Sequence, residues 1–337
     1  MRIAIDVMGG DNGPQCIIDG VNLFYKKNPS VSFLLCGDAT VIKDHIAHNK
    51  TLQSVCTIEH TTDDVSADDK PSIALRRMRS SSMAVALEAV ADGRCVAAVS
   101  AGNTGAYLAL SKNILKTQGT IDRPAIAGLF PTEKGHCVML DLGGSLEASS
   151  RNLCEFALMG SVFASKTLNV SNPSVGLLNV GKEASKGNDR LKQAFQYLNN
   201  SDINFVGFIE GNDIAQGGAS VVITDGFTGN VALKMAEGMS SLVRNVLKHS
   251  AQSSVLRRAS SMFSKPLLKH AHEKIDAQSH NGAIWLGLNG IAIKSHGNAT
   301  AYGFASAIQK AHDMHRTNVI HEVEQAILDY DGLAIDA

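Results

Sequence analysis

Short apolar runs alternate with helical patterns along almost the whole chain, and this alternation limits the possible folds more than any other feature. The runs RIAIDVM (2–8), VSFLLCG (31–37), CVAAVSA (95–101), AIAGLF (125–130), HCVMLDLG (136–143), PSVGLLNVG (173–181), NFVGFIEG (204–211) and ASVVITDG (219–226) are rich in Val and Ile and apolar on both faces. Strands of that kind are the buried strands of parallel sheets. Between them, SSMAVALEAVADG, AYLALSKNIL, NLCEFALMGSVFASKTL and RLKQAFQYLNN follow helical spacing. The expected fold is α/β, three layers with a mainly parallel sheet between helices. The 337 residues contain no internal repeat and no clear linker, so one α/β domain over 1–337 is expected.

Run after run ends in Gly, Asp, Asn or Ser: MGGD, CGD, SAGNTG, DLGGS, NVGKE, EGND and TDGFTGN. In open α/β sheets the ligand crevice lies outside the carboxyl ends of the strands. One such turn is explained by backbone needs alone; seven together point to a long polar cleft. The first turn offers Asp6, Gly9, Gly10 and Asp11. In SAGNTGA (100–106), Ser100, Gly102, Asn103, Thr104 and Gly105 lead from a strand into a helix, where N–H groups and the helix dipole suit a phosphate. A structural turn explains the same residues equally well. The segment matches neither GxxxxGK[ST] nor GxGxxG, so nucleotides are not implied. TDGFTGNVALK (224–234) sets Asp225, Gly229 and Asn230 before a helix expected to begin near Asn230. The loop NVGKEASKG carries Asn179, Lys182, Glu183 and Lys186, whose lysines can pair with an anion or stabilise an oxyanion. Lys294, Ser295 and His296 precede Gly297, and His296 has the chemistry of a general acid–base.

Charge and composition remove other classes. Thirty-one Lys and Arg against 32 Asp and Glu leave a net charge of −1, and aromatics are 5%, which argues against a nucleic-acid partner. Six cysteines show neither a CxxC pair nor a histidine at metal spacing and read as reduced core thiols of a cytoplasmic protein; no metal is expected. The opening MRIAIDVMGGD reads as a first strand rather than a signal peptide, and no run reaches the roughly 18 apolar residues of a membrane span. The stretch 234–275 reads as a projecting helical hairpin. Its amphipathic 253–268 portion suits dimer packing, an anionic membrane surface or a carrier protein.

The segments IDVMGGDNGP, ALRRMRSSSM, SAGNTGA, DRPAIA, NVGKEASKG, FIEGNDI, TDGFTGNVALK and IKSHGNA, in this order between Arg2 and about Ala311, resemble the bacterial acyl-ACP:phosphate acyltransferase family. The resemblance implies a fold similar to phosphate acetyltransferases and isocitrate/isopropylmalate dehydrogenases, assembled as a homodimer. It implies acyl-ACP and inorganic phosphate as substrates and no cofactor. The acyl phosphate product serves glycerol-3-phosphate acylation in phospholipid synthesis, at the inner face of the membrane beside a membrane acyltransferase. The family's loop lysine falls on Lys186 and its DGFTGN asparagine on Asn230. Three positions depart from the pattern: Ser145 replaces an amide, Met78 interrupts a basic run, and Lys182 stands in place of Glu or Thr.

On this reading Ser100, Asn103 and Thr104 hold phosphate, Lys186, Asn230 and Asp225 orient the reactants, and His296 moves a proton. Asp6, Gly9, Gly10, Asp11, Asn179, Glu183, Gly229 and Lys294 complete the substrate contacts. Acidic carrier protein would dock on Arg76, Arg77 and Arg79 or on Arg257 and Arg258, and Leu256 and Phe263 would touch lipid. The competing readings are a phosphate acyltransferase acting on short acyl-CoA, a β-decarboxylating dehydrogenase lacking its aspartate cluster, and a non-catalytic scaffold for carrier protein.

Overall fold

The computed structural model describes residues 1–66, 69, 71–77, 79–252 and 281–329. Its strands are β1 (Arg2–Asp6), β2 (Ser32–Gly37), β3 (Cys56–His60), β4 (Ala97–Ser100), β5 (Ala125–Thr132), β6 (Gly135–Leu140), β7 (Val175–Leu178), β8 (Phe205–Ile209), β9 (Val221–Ile223), β10 (Ala283–Leu286) and β11 (Ile291–Lys294). The helices are α1 (Gly13–Lys27), α2 (Ala39–Ile46), α3 (Lys50–Val55), α4 (Pro71–Arg77), α5 (Ser82–Ala91), α6 (Thr104–Leu115), α7 (Ser150–Leu168), α8 (Asp189–Asn199), α9 (Gly211–Gln216), α10 (Gly226–Gln252), α11 (Ala301–Arg316) and α12 (Val319–Asp329).

The strands form one sheet in the order β3-β2-β1-β4-β11-β10-β5-β6-β9-β7-β8. Neighbours from β3 to β11 are parallel, and so are those from β6 to β8; β10 is antiparallel to both β11 and β5, and β5 to β6. The two parallel blocks therefore point in opposite directions. They are also offset along β5: Ala125, Ile126 and Ala127 pair with β10, whereas Gly128 to Thr132 pair with β6. Lys294, the end of β11, lies opposite Ala283, next to the Ile284–Ala127 pair; near the end of β6, Met139 lies opposite Gly128. The carboxyl ends of both blocks thus converge on the middle of β5.

Alternate residues on each strand feed two cores, as strand geometry requires. Ile3, Ile5, Val99, Ile291 and Ile293 join one core with Phe24, Phe163 and Phe304 of α1, α7 and α11. Ala4, Ala98 and Ala292 face the other, with Met83, Leu87, Tyr107 and Trp285. Alanines on the second face let α5 and α6 sit close to the sheet just beneath the strand-end turns.

All eight expected strands are present, in a sheet that also holds β3, β10 and β11. Two features depart from expectation. The centre of the sheet is antiparallel, at the β11–β10, β10–β5 and β5–β6 pairs, and two of these strands, AIWL and IAIK, lie in a run broken by glycines that does not read as a strand pattern. The hairpin's first arm is not separate: α10 starts at Gly226 and runs unbroken to Gln252. The rest of the hairpin, with Leu256, Arg257, Arg258 and Phe263, lies outside the described residues, as does Met78. Among the described residues no helix is long and apolar enough to cross a membrane. The six cysteines are free thiols, four of them buried.

Candidate active site

Three strand ends of the first block are tied together around Asp6. Its carboxylate is buried and accepts the hydroxyls of Ser82 at 2.7 Å and Ser100 at 2.6 Å. Burial raises its pKa, against the opposing pull of these hydroxyls and of the Met8 and Gly9 amides. Gly9 permits the crossing of turns: a Cβ there would stand 2.7 Å from the Gly102 nitrogen. From β11, Lys294 enters beneath the same turns and donates to the carbonyls of Ala101, at 3.2 Å, and Ser295. Burial pulls its pKa down to about 8, opposed by the Asp6 and Asp11 charges and reinforced by Lys234. Asn281 holds the following turn, donating to Ser295 Oγ at 2.8 Å and accepting the His296 N–H at 3.0 Å.

The second block is organised on Asp141, also fully buried. Oδ1 accepts the N–H groups of Ile126, Gly143 and Gly144 at 3.0, 3.2 and 2.8 Å; Oδ2 accepts the Ser145 N–H at 2.8 Å and its hydroxyl at 2.9 Å. Burial raises this pKa too, and the hydrogen bonds work against it. The first turn of α10 lies directly on this loop. A Cβ on Gly226 would come within 1.9 Å of the Ser145 carbonyl oxygen, and one on Gly229 within 1.8 Å of that of Asp141. Both positions admit only glycine, which seats Asn230 beside Gly143.

Between the two sets of turns lies a cleft of about 430 Å³, lined by Thr104, Asn230, Lys234, Glu237, Lys294 and His296 over a floor of β5. Glu237 bridges two of the others. Glu237 Oε1 lies 2.9 Å from His296 Nε2, and Glu237 Oε2 lies 2.9 Å from Lys234 Nζ. The His296 bond first, then Lys234, hold the Glu237 pKa down at about 2. Because Nε2–H donates to an ionised carboxylate, the neutral imidazole leaves Nδ1 as an acceptor. The Asn230 carboxamide has no hydrogen-bond partner among the described residues. At the start of α6 the N–H groups of Thr104 and Gly105 are left open, as the first amides of a helix are. The cleft thus offers two lysines, open amides and an oriented imidazole to an anion.

Other expected residues are used differently. The Ser100 hydroxyl donates to Asp6 and accepts the Gly102 N–H at 3.0 Å, so both support the turn from inside. Asn103 caps α6, accepting the Ala106 N–H and donating to the Asp69 carbonyl. Asp225 caps α10 through the Thr228 N–H at 2.7 Å and borders a second, apolar cavity. Gly10 has φ +100°, and Asp11 donates its N–H to the Gly297 carbonyl at 2.8 Å. Lys186 and Glu183 stand on the exposed loop after β7 and line neither cavity, because that loop reaches the second cavity through Asn179, Gly187 and Asn188. Lys182 pairs with Asp213 at 2.9 Å. Ser145, where the family resemblance expects an amide, closes the loop on Asp141 through its N–H and its hydroxyl. Arg76 and Arg79 are exposed beside α4, away from both cavities.

Lys234 and Glu237 carried no role in the sequence reading. Their spacing held the signal: Asn230, Lys234 and Glu237 fall at i, i+4 and i+7, one face of a helix. Among the described residues no cluster of three His, Cys, Asp or Glu side chains is arranged for a metal.

A family model described as fatty acid synthesis protein matches residues 1–322. A phosphate acyltransferase of Paramagnetospirillum magneticum is 49% identical over 310 residues, covering 91% of this chain and 88% of its own. One of Rhodospirillum rubrum is 45% identical over 327 residues, covering 96% and 94%. Among solved structures, a phosphotransacetylase from Streptococcus pyogenes superposes with a TM-score of 0.62 at 15% identity, over 98% of this chain and 94% of its own. A branched-chain phosphotransacylase from Enterococcus faecalis gives 0.54 at 12%, over 93% and 99%. At such identities the likeness establishes the fold.

Proposed function

Because this chain belongs to the fatty acid synthesis protein family, an acyltransferase family that joins acyl groups to phosphate, we propose that the cleft above β5 is where the bond forms and that the donor is a fatty acyl thioester of acyl carrier protein. The observation that carries this reading is the grouping of Lys234, Lys294, His296 and open amides around one small cleft at two sets of strand ends. Phosphate is held by the Thr104 and Gly105 amides and the two lysines. Asn230 donates to the thioester oxygen as it becomes an oxyanion, where fixed donors contribute most. His296, held by Glu237, takes the phosphate proton on Nδ1 and delivers it to the departing sulfur. The balance is one thioester and one hydrogen phosphate giving one acyl phosphate and one thiol. A thioester is already activated, so positioning supplies much of the remaining acceleration and no covalent enzyme intermediate is required.

The carrier protein is acidic, and Arg76 and Arg79 offer it a basic surface. A homodimer, and contact with a membrane through 253–268 beside a glycerol-3-phosphate acyltransferase, belong to the same proposal. Mass spectrometry of a mixture of purified protein, palmitoyl-ACP and phosphate tests it, with palmitoyl-CoA as the comparison donor. Phosphate-dependent palmitoyl phosphate from the carrier donor is expected. Equal or better turnover of the CoA thioester would overturn the carrier assignment.

A further inference from the structure

α10 separates two cavities. Asn230, Lys234 and Glu237 face the reaction cleft, while Val231, Met235 and Met239, at i, i+4 and i+8 on the adjoining side, face a larger cavity of about 840 Å³. Phe130, Leu178 and Ile214 supply further apolar wall; polar lining comes from the loop after β7 and the first turns of α8 and α10 with the residues just before them. The two cavities meet at Ala236, Phe130 and Pro131, which line both.

We infer that this second cavity receives the hydrocarbon tail of the acyl donor, so that α10 sorts the substrate: the reacting carbonyl on its polar side, the tail on its apolar side. The inference rests on the acyl-transfer reading. Three observations select a tail over a protein partner. The cavity shares the wall of Ala236, Phe130 and Pro131 with the cleft, so a chain attached to a carbonyl near Asn230 reaches it by crossing that wall. Its volume falls within the range of small-molecule sites. Its outer wall is Met235 and Met239, 63% and 44% exposed in the free protein, where apolar surface gains most from being covered. Methionines adjust to chains of different length better than branched residues do. Ala236 is the smallest side chain shared by the two cavities and acts as the gate.

The test compares butyryl-ACP with palmitoyl-ACP in the full-length protein, its Met235→Trp variant and its Met239→Trp variant. Wild type is expected to favour palmitoyl. Each substitution should lower kcat/KM for palmitoyl roughly tenfold or more and leave butyryl within about threefold, the scale on which a hydrophobic pocket discriminates chain length. Palmitoyl-ACP with a terminal diazirine should label residues around Met235 and Ile214, which also reports on a variant too disturbed to assay. Parallel losses for both donors, or labelling elsewhere, would overturn the tail site while leaving acyl transfer intact. Absence of acyl phosphate from every donor in wild type would instead overturn acyl transfer, and the tail site with it.

Discussion

Asp6 and Asp141 are both buried at strand ends, one on each side of the cleft, yet they have different surroundings. Asp141 accepts four backbone amides and one hydroxyl, with no cation beside it among the described residues, and its loop is the seat on which α10 rests. Asp6 accepts two hydroxyls and shares its turns with the buried Lys294, which opens on the cleft. A carboxylate fully satisfied by backbone donors fixes geometry; one placed near a buried lysine also sets the field a substrate meets. The Asp141 side is therefore scaffold, and the Asp6 side is scaffold joined to chemistry.

The sharpest way to break that distinction is Asp141→Ala. It strands several buried donors at once, and a loss of about 4 kcal/mol or more is expected in urea unfolding. A loss below about 1 kcal/mol would show that the loop holds without its carboxylate.

Lys294→Met should do the opposite. Activity at limiting phosphate falls about a hundredfold, while stability at pH 7 holds or rises because a buried cation is gone. The pH dependence sharpens the test. With a folded pKa of about 8 against the usual 10.5, the folded protein releases this proton first. The unfolded chain then binds more protons between those values, and stability rises with pH across that window. Phosphate affinity moves the other way, falling as pH climbs through about 8. Lys310, also pulled down to about 8 by burial, adds the same stability slope to both proteins, so their difference isolates Lys294. Calorimetry and kinetics at several pH values read both.

Glu237→Gln probes the chemical side more gently. Turnover should fall roughly tenfold as the imidazole loses its orienting charge, with the lower limb of the pH–rate profile displaced. Wild type should also lose stability as pH falls from about 4.5 through about 2, since this depressed carboxylate stabilises only when ionised; the variant lacks that contribution. The smallest effect is Ser145→Ala, which removes one hydroxyl from Asp141 and should cost about 1 kcal/mol with unchanged kinetics.

Much of the fold was legible because buried strands and amphipathic helices carry their periods in the chain. β3, β10 and β11 were not: CTIEH is polar at three of five positions, and AIWL and IAIK lie in NGAIWLGLNGIAIK, where glycines break the apolar run. Thr104, Asn230, Lys294 and His296, which line the candidate cleft, were legible because they stand in or just after strand-end turns. Ser100, Asn103 and Asp225 were found too, but their atoms are spent on turns and caps, a distinction that lies in hydrogen-bond partners rather than residue type. Lys234 and Glu237 escaped because a charged helix face usually faces solvent.

By itself the sequence determined the alternation of elements, the polar turns that end the strands and the family to which the chain belongs. Each of these is written in local patterns or in their order. Only the tertiary structure decided that two opposed blocks of strands meet along β5, that Glu237 of α10 reaches His296 after β11, and that the two faces of one helix line different cavities. Those are contacts between segments far apart in the chain, set by sheet register and by where Gly226 and Gly229 let α10 come to rest.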